Sequence, residues 1–234
     1  MVHAKIYSMT IINLLKRKVI VSSQAMPKEP FYDEKCMTAM MQSVVNGGAA
    51  GLRVAGARDV KIAKQFNLPV IGLTKPDELP KNWKSVVYIT PGLKEVQELI
   101  DSDADIIAFD GTERPRPDGS NLKQIIEKIH SSNKLAMADI STLEEGINCS
   151  KLGADIISTT LAGYTEHSET SGDSPDFDLL RNLVESINKP IFLEGRIWVP
   201  EDVQKAFEIG AHAVVIGSAI TRPHLITKRF TEVI

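Results

Sequence analysis

Two residues far apart in the chain have the chemistry to move protons. Lys75 follows the apolar run "VIGLT" at 70–74, and Glu194 closes the apolar stretch of "PIFLEGRI" at 190–197. A lysine at the edge of an apolar wall, with Arg53 as a cationic neighbour, loses hydration and meets like charge. Both effects lower its pKa from the ordinary ~10.4 and leave an amine that can accept a proton. Glu194 could hold that lysine in place, pass protons to an oxygen, or act as a second acid/base group. Asp139, at the end of "LAMAD", could orient either one. Taken singly, each also reads as a salt-bridged residue at a strand end, so the elements that carry them decide.

Those elements repeat. Short runs rich in Val and Ile recur as "VIVSS" at 19, "GLRVA" at 51, "VIGLT" at 70, "DIIAFD" at 105, "LAMADI" at 135, "DIISTT" at 155, "PIFLEG" at 190 and "AVVIGS" at 213. Amphipathic segments separate them, the pattern of parallel strands with helical crossovers. "LKEVQELI", "NLKQIIEKIH", "STLEEGINCSKLG" with a capping box from Ser141 to Glu144, and "PEDVQKAFEIG" with Pro inside its start all read as helices. "KLGADII" and "EIGAHAVV" each stop a helix at a glycine and enter a strand at once. Eight such units without a linker predict an α/β chain, one (β/α)8 TIM barrel domain over residues 1–234. An open doubly wound sheet is the fallback. The helix-like segment before residue 18 is expected to cover the barrel bottom, and "SVVYIT" at 85–90 to lie in a loop excursion.

Barrel chemistry sits at the carboxyl ends of strands. Here those ends carry Ser22-Ser23-Gln24, Arg53, Thr74-Lys75, Asp110, Asp139, Thr159-Thr160, Glu194-Gly195 and Gly217-Ser218. Barrel closure is expected to gather them around one mouth. The loops after strands seven and eight place Gly195, Arg196, Gly217, Ser218 and Arg222 where backbone amides and guanidinium groups bind phosphate.

The remaining composition narrows the function class. A net charge of −3 lacks the basic excess of a nucleic-acid binder. Cys36 and Cys149 are the only cysteines, read as two buried thiols rather than a disulfide framework. No signal peptide and no run near ~18 apolar residues are seen, so a cytoplasmic protein without membrane contact is expected. His130, His167, His212 and His224 read as surface or turn residues; no metal is needed.

The motifs "VSSQAMPKEP", "FDGTERPRPDG", "ADISTLEEG", "STTLAGYT", "EGRI" and "GSAITRPHLITKRF" resemble those of bacterial N-acetylmannosamine-6-phosphate 2-epimerases, from about residue 18 to the C-terminus. The resemblance implies a (β/α)8 barrel that interconverts N-acetylmannosamine 6-phosphate and N-acetylglucosamine 6-phosphate in sialic acid catabolism, without a cofactor and as a homodimer. It implies that Lys75 transfers the proton, that Glu194 assists, and that Gln24, Arg53, Asp139 and Arg222 contact substrate. The chain departs from the family pattern in Ser23, in Val54-Ala55 and in Pro76-Asp77-Glu78 directly after the lysine. Two other readings stand beside it. One is a Schiff-base aldolase with Lys75 as nucleophile, the other a phosphosugar-binding protein without turnover.

Overall fold

The computed structural model describes residues 10–168 and 172–233. Eight parallel strands close into a barrel in chain order. They are β1 Lys18–Ser22, β2 Gly51–Ala55, β3 Val70–Leu73, β4 Ile106–Asp110, β5 Leu135–Asp139, β6 Ile156–Ser158, β7 Ile191–Glu194 and β8 Ala213–Ile216. Outside lie α1 Glu34–Asn46, α2 Ala57–Ala63, α3 Leu93–Asp101, α4 Leu122–Ser131, α5 Leu143–Leu152, α6 Phe177–Ser186 and α7 Pro200–Ile209. The short α8 Ser218–Thr221 and then α9 Pro223–Thr231 follow the last strand. All eight sequence runs are strands, because a strand covered on both faces must be apolar at successive positions. Among the described residues no helix is long and apolar enough to cross a membrane.

Alternation along each strand sorts the side chains into layers. Ile20, Ile71, Ile106, Leu135, Ile156, Phe192 and Ala213 fill the lower barrel interior, and Leu73, Ala108, Met137 and Val215 lie in the same cluster further along their strands. One further step of two reaches Ser22, Lys75, Asp110, Asp139, Ser158, Glu194 and Gly217. The strand period therefore sets a polar layer on an apolar one. The intervening residues, such as Leu52, Val54, Ile107, Phe109, Ile157 and Val214, pack outward against the helices.

A helical stretch at 10–14 sends Ile11 and Leu15 into the interior cluster and closes the barrel floor, as expected. Residues 1–9 of that expectation lie outside the described ones. Gly51 leaves room for this plug, since a Cβ there would stand 3.1 Å from Leu15. His212, read as a surface or turn residue, lies in the bend before β8 and stacks on Phe192 at 5.9 Å between ring centres. Its Nε2 lies 2.8 Å from the Ile12 carbonyl oxygen, which ties the plug to the barrel. Cys149 is buried, whereas Cys36 is only half-buried.

Gly153 and Gly210 end α5 and α7 at φ 108° and 117°, backbone that disfavours a side chain. The capping box of α5 lies one residue later than predicted. Thr142 and Glu145 form it, and Ser141 adds its N–H and hydroxyl to the Glu145 carboxylate at 2.7 and 2.8 Å. The sequence fits both frames because Ser141 and Thr142 each precede a glutamate by three residues.

The excursion holding 85–90 is not merely peripheral. Its end enters the barrel mouth between β3 and β4, which pair through only Ile71↔Ile106 and Gly72↔Ile107. Beyond that register the Thr90 N–H donates to the Thr74 carbonyl (3.0 Å) and the Asp110 N–H to the Ile89 carbonyl (3.1 Å). The Thr90 hydroxyl donates to the Ala108 carbonyl at 2.6 Å. Thr90 is fully buried at φ 43°, a conformation unusual for a β-branched residue.

Candidate active site at the barrel mouth

Arg53 forms the centre of the polar layer. It is 1% exposed, and its two terminal nitrogens donate to both Asp139 oxygens at 3.2 and 2.6 Å. Its Nε lies 3.3 Å from Glu194 Oε2, within ion-pair range, but the N–H misses hydrogen-bond geometry. A buried guanidinium thus binds one buried and one half-buried carboxylate, an arrangement retained only where each charge has a partner. Its pKa is raised: burial opposes the charge most strongly, and Asp139 and Glu194 together overcome it.

Thr160, from the turn after β6, places its hydroxyl 2.8 Å from Asp139 Oδ1 and 3.0 Å from Glu194 Oε2. A hydroxyl carries one proton and cannot donate to both. Burial raises the Glu194 pKa despite Arg53, and the Asp139 charge raises it further. Thr159 fixes the Glu194 backbone from both sides, accepting from its N–H at 3.1 Å and donating to its carbonyl at 2.9 Å.

Lys75 stands opposite. Its ammonium donates to Gln24 Oε1 at 2.8 Å, and Gln24 in turn donates to the Ser22 hydroxyl at 2.8 Å. The lysine is held by Gln24 and not by Glu194, as the sequence had suggested. Its pKa falls to about 8, through burial first and the Arg53 charge second, with Glu194 and Asp139 opposing and Arg222 adding to the fall. The side chain is accessible to solvent because it faces two cavities, while protein atoms crowd around it.

The inner cavity, about 280 Å³, is lined by Ser22, Gln24, Lys75, Tyr88, Thr160, Glu194, Gly217, Ser218 and Arg222, among others. Lys75 and Glu194 therefore share one chamber. Arg53 and Asp139 lie beneath Glu194 and line neither cavity. Gly195, Gly217, Ser218 and Arg222 all line the chamber, and Glu29 accepts from Arg222 at 2.8 Å. Arg196 also borders it at φ 54°, but its guanidinium donates away from the chamber, to the Ser174 and Ala162 carbonyls at 2.9 and 2.8 Å.

Asp110 does not join this group. Its carboxylate accepts from Arg114 at 2.6 Å and from Thr112, inside the loop after β4. That loop, "FDGTERPRPDG", latches the excursion after Lys75. Arg114 donates to the Lys84 carbonyl at 2.9 Å, Arg116 to the Thr90 and Pro91 carbonyls at 3.3 and 3.4 Å, and Asp118 caps α3 by accepting from Leu93 N–H at 2.8 Å. Thr160, expected at the mouth from its strand end, lines the chamber, whereas sequence reading missed Tyr88 and Tyr164, which lie on loops whose paths a strand count does not give.

Comparisons with known proteins place nearly the whole chain in one family. Residues 37–234 match the model of the NanE family, described as "Putative N-acetylmannosamine-6-phosphate epimerase". A Clostridium perfringens relative named "Putative N-acetylmannosamine-6-phosphate 2-epimerase" is 46% identical over 225 residues, 95% of this chain and 99% of the relative. One from Caldanaerobacter subterraneus with the same name is 45% identical over 230 residues, 97% and 94% of the two chains. The solved N-acetylmannosamine-6-phosphate 2-epimerase of Clostridium perfringens superposes with a TM-score of 0.90 at 45% identity, covering 95% of this chain and 96% of that one. With this near-full-length agreement in sequence and fold, the chain belongs to the N-acetylmannosamine-6-phosphate epimerase family.

Proposed function

We propose that the chamber interconverts N-acetylmannosamine 6-phosphate and N-acetylglucosamine 6-phosphate through Lys75 and Glu194, as a cofactor-independent isomerase of amino sugar catabolism. The observation that carries this reading is the shared chamber: an amine with its pKa near 8 and a carboxyl with a raised pKa face one space of sugar-phosphate size. Inverting carbon 2 means removing a weakly acidic hydrogen. Ring opening exposes the carbon 1 carbonyl, which delocalises the resulting carbanion as an enolate. Glu194 gives and recovers the proton on oxygen, Lys75 takes the one on carbon 2 and returns it to the opposite face once the open-chain enolate has turned about its carbon 2–carbon 3 bond, and Gln24 holds Lys75 in position. Arg53 and Asp139 hold Glu194 from below, the arginine by charge and the aspartate through Arg53 and Thr160. The phosphate rests at the Gly195, Gly217, Ser218 and Arg222 end, with the Arg196 backbone beside it. Binding energy from that remote end orients the reacting carbon.

A phosphorylated sugar is retained inside cells, so the cytoplasm is the working compartment. A homodimer is the assembly we favour. An apolar groove of about 790 Å³, lined by Val21, Met40, Val44, Trp198, Val203 and Ile220, runs between α1 and α7, while α9 buries no residue and leaves Phe230 74% exposed. In a ring of eight helices the last one fills the gap beside the first. A second copy covers the groove instead.

The experiment is incubation of the purified protein with either sugar phosphate in heavy water. Deuterium should appear at carbon 2 with interconversion of the two sugars. Lack of both defeats the assignment, and borohydride trapping of substrate on Lys75 would transfer the reading to an aldolase.

A further inference from the structure

Tyr88 holds a place in the mouth that the reaction as described leaves unused. The inner chamber and a second cavity of about 700 Å³ meet there, and Lys75 and Tyr88 are the two residues lining both. A substrate filling the inner chamber therefore meets a lining to which both Lys75 and Tyr88 belong. The ring is held edge-on by Trp83, with centres 6.4 Å apart and planes at 82°. The backbone two residues on is fixed by Thr90 between β3 and β4 and by the Arg116 contacts to the Thr90 and Pro91 carbonyls.

Tyr88 is half-buried, and its hydroxyl hydrogen-bonds to no described residue, which leaves its proton for a ligand in the chamber. Its pKa is pushed up to about 12 by burial and then by the Asp110 charge, so the phenol stays a proton donor across the working range. A neutral, prepositioned O–H beside the reacting carbon matches what an enolate needs. Stabilising charge that appears only in the transition state is where a fixed donor has its largest effect.

We propose that Tyr88 is a catalytic residue that donates a hydrogen bond to the substrate oxygen on the carbon next to carbon 2, as that oxygen gains charge. No covalent step is involved: the proton stays on the phenol while the carbon 2 proton moves to Lys75. The inference rests on the epimerase reading above. It is tested by Tyr88→Phe, which removes one oxygen and keeps the ring packed against Trp83. The expected result is a fall in kcat and in carbon 2 deuterium exchange of ~100-fold, with KM changed less than about threefold and the melting temperature unchanged. Wild-type kcat in the variant, or an effect confined to KM, overturns the proposal. Failure of the wild-type protein to exchange would instead overturn the epimerase reading and this one with it.

Discussion

At the residue scale, the role we propose for Lys75 rests on its discomfort. Below pH ~8 it is protonated in a place that disfavours charge, and above that the neutral amine predominates. The value of kcat/KM should therefore rise with pH, about tenfold per unit below ~8, and level off above, as a pH profile would show. Stability runs the same way. A folded pKa below the unfolded ~10.4 means that the unfolded chain binds more protons between ~8 and ~10.4, so stability increases through that window. Lys75→Met should abolish exchange yet raise the melting temperature at pH 7, with the gain shrinking toward pH 10; a lowered melting temperature would contradict the burial argument. Much of this site was legible from strand ends, because a parallel strand that turns from apolar to charged at its carboxyl end marks the barrel mouth. The partners were not. That Gln24 and not Glu194 holds Lys75, and that Arg196 points toward the loop after β6, depend on side-chain direction, which spacing does not specify.

At the element scale, the loop after β4 and the excursion after β3 act as one unit. Arg114, Arg116 and Asp118 stand at alternate positions of a bent loop and reach Lys84, Thr90 and Leu93 in turn. Arg114→Ala would leave the Asp110 carboxylate buried beside an empty space and free the Lys84 carbonyl. The expected cost is about 3 kcal/mol of stability, read by denaturant unfolding, with a loss of kcat because Lys75 and Tyr88 stand near the ends of the released segment. Full activity with lowered stability would show that the excursion needs no latch. The strands and helices were readable from period and caps. The wedge was not, since "SVVYIT" bonds to the flanking strands through Ile89 and Thr90, too few residues to leave a periodic signal.

At the scale of the whole molecule, the unfilled groove between α1 and α7 makes assembly the open variable. Sedimentation should give twice the 25.7 kDa of one chain. Ile220→Asp, in the groove, should shift the mass toward the single chain, whereas an unchanged dimer would place the contact elsewhere. The split between β3 and β4 acts at this scale too. Two inserted peptide units satisfy neighbours on both sides, so the rim is wider than the base without any strand being left unpaired. Width at the opening is thereby decoupled from the tightly filled lower layers: lineages can enlarge or narrow the entrance by editing one detour, while the foundation beneath keeps its dimensions.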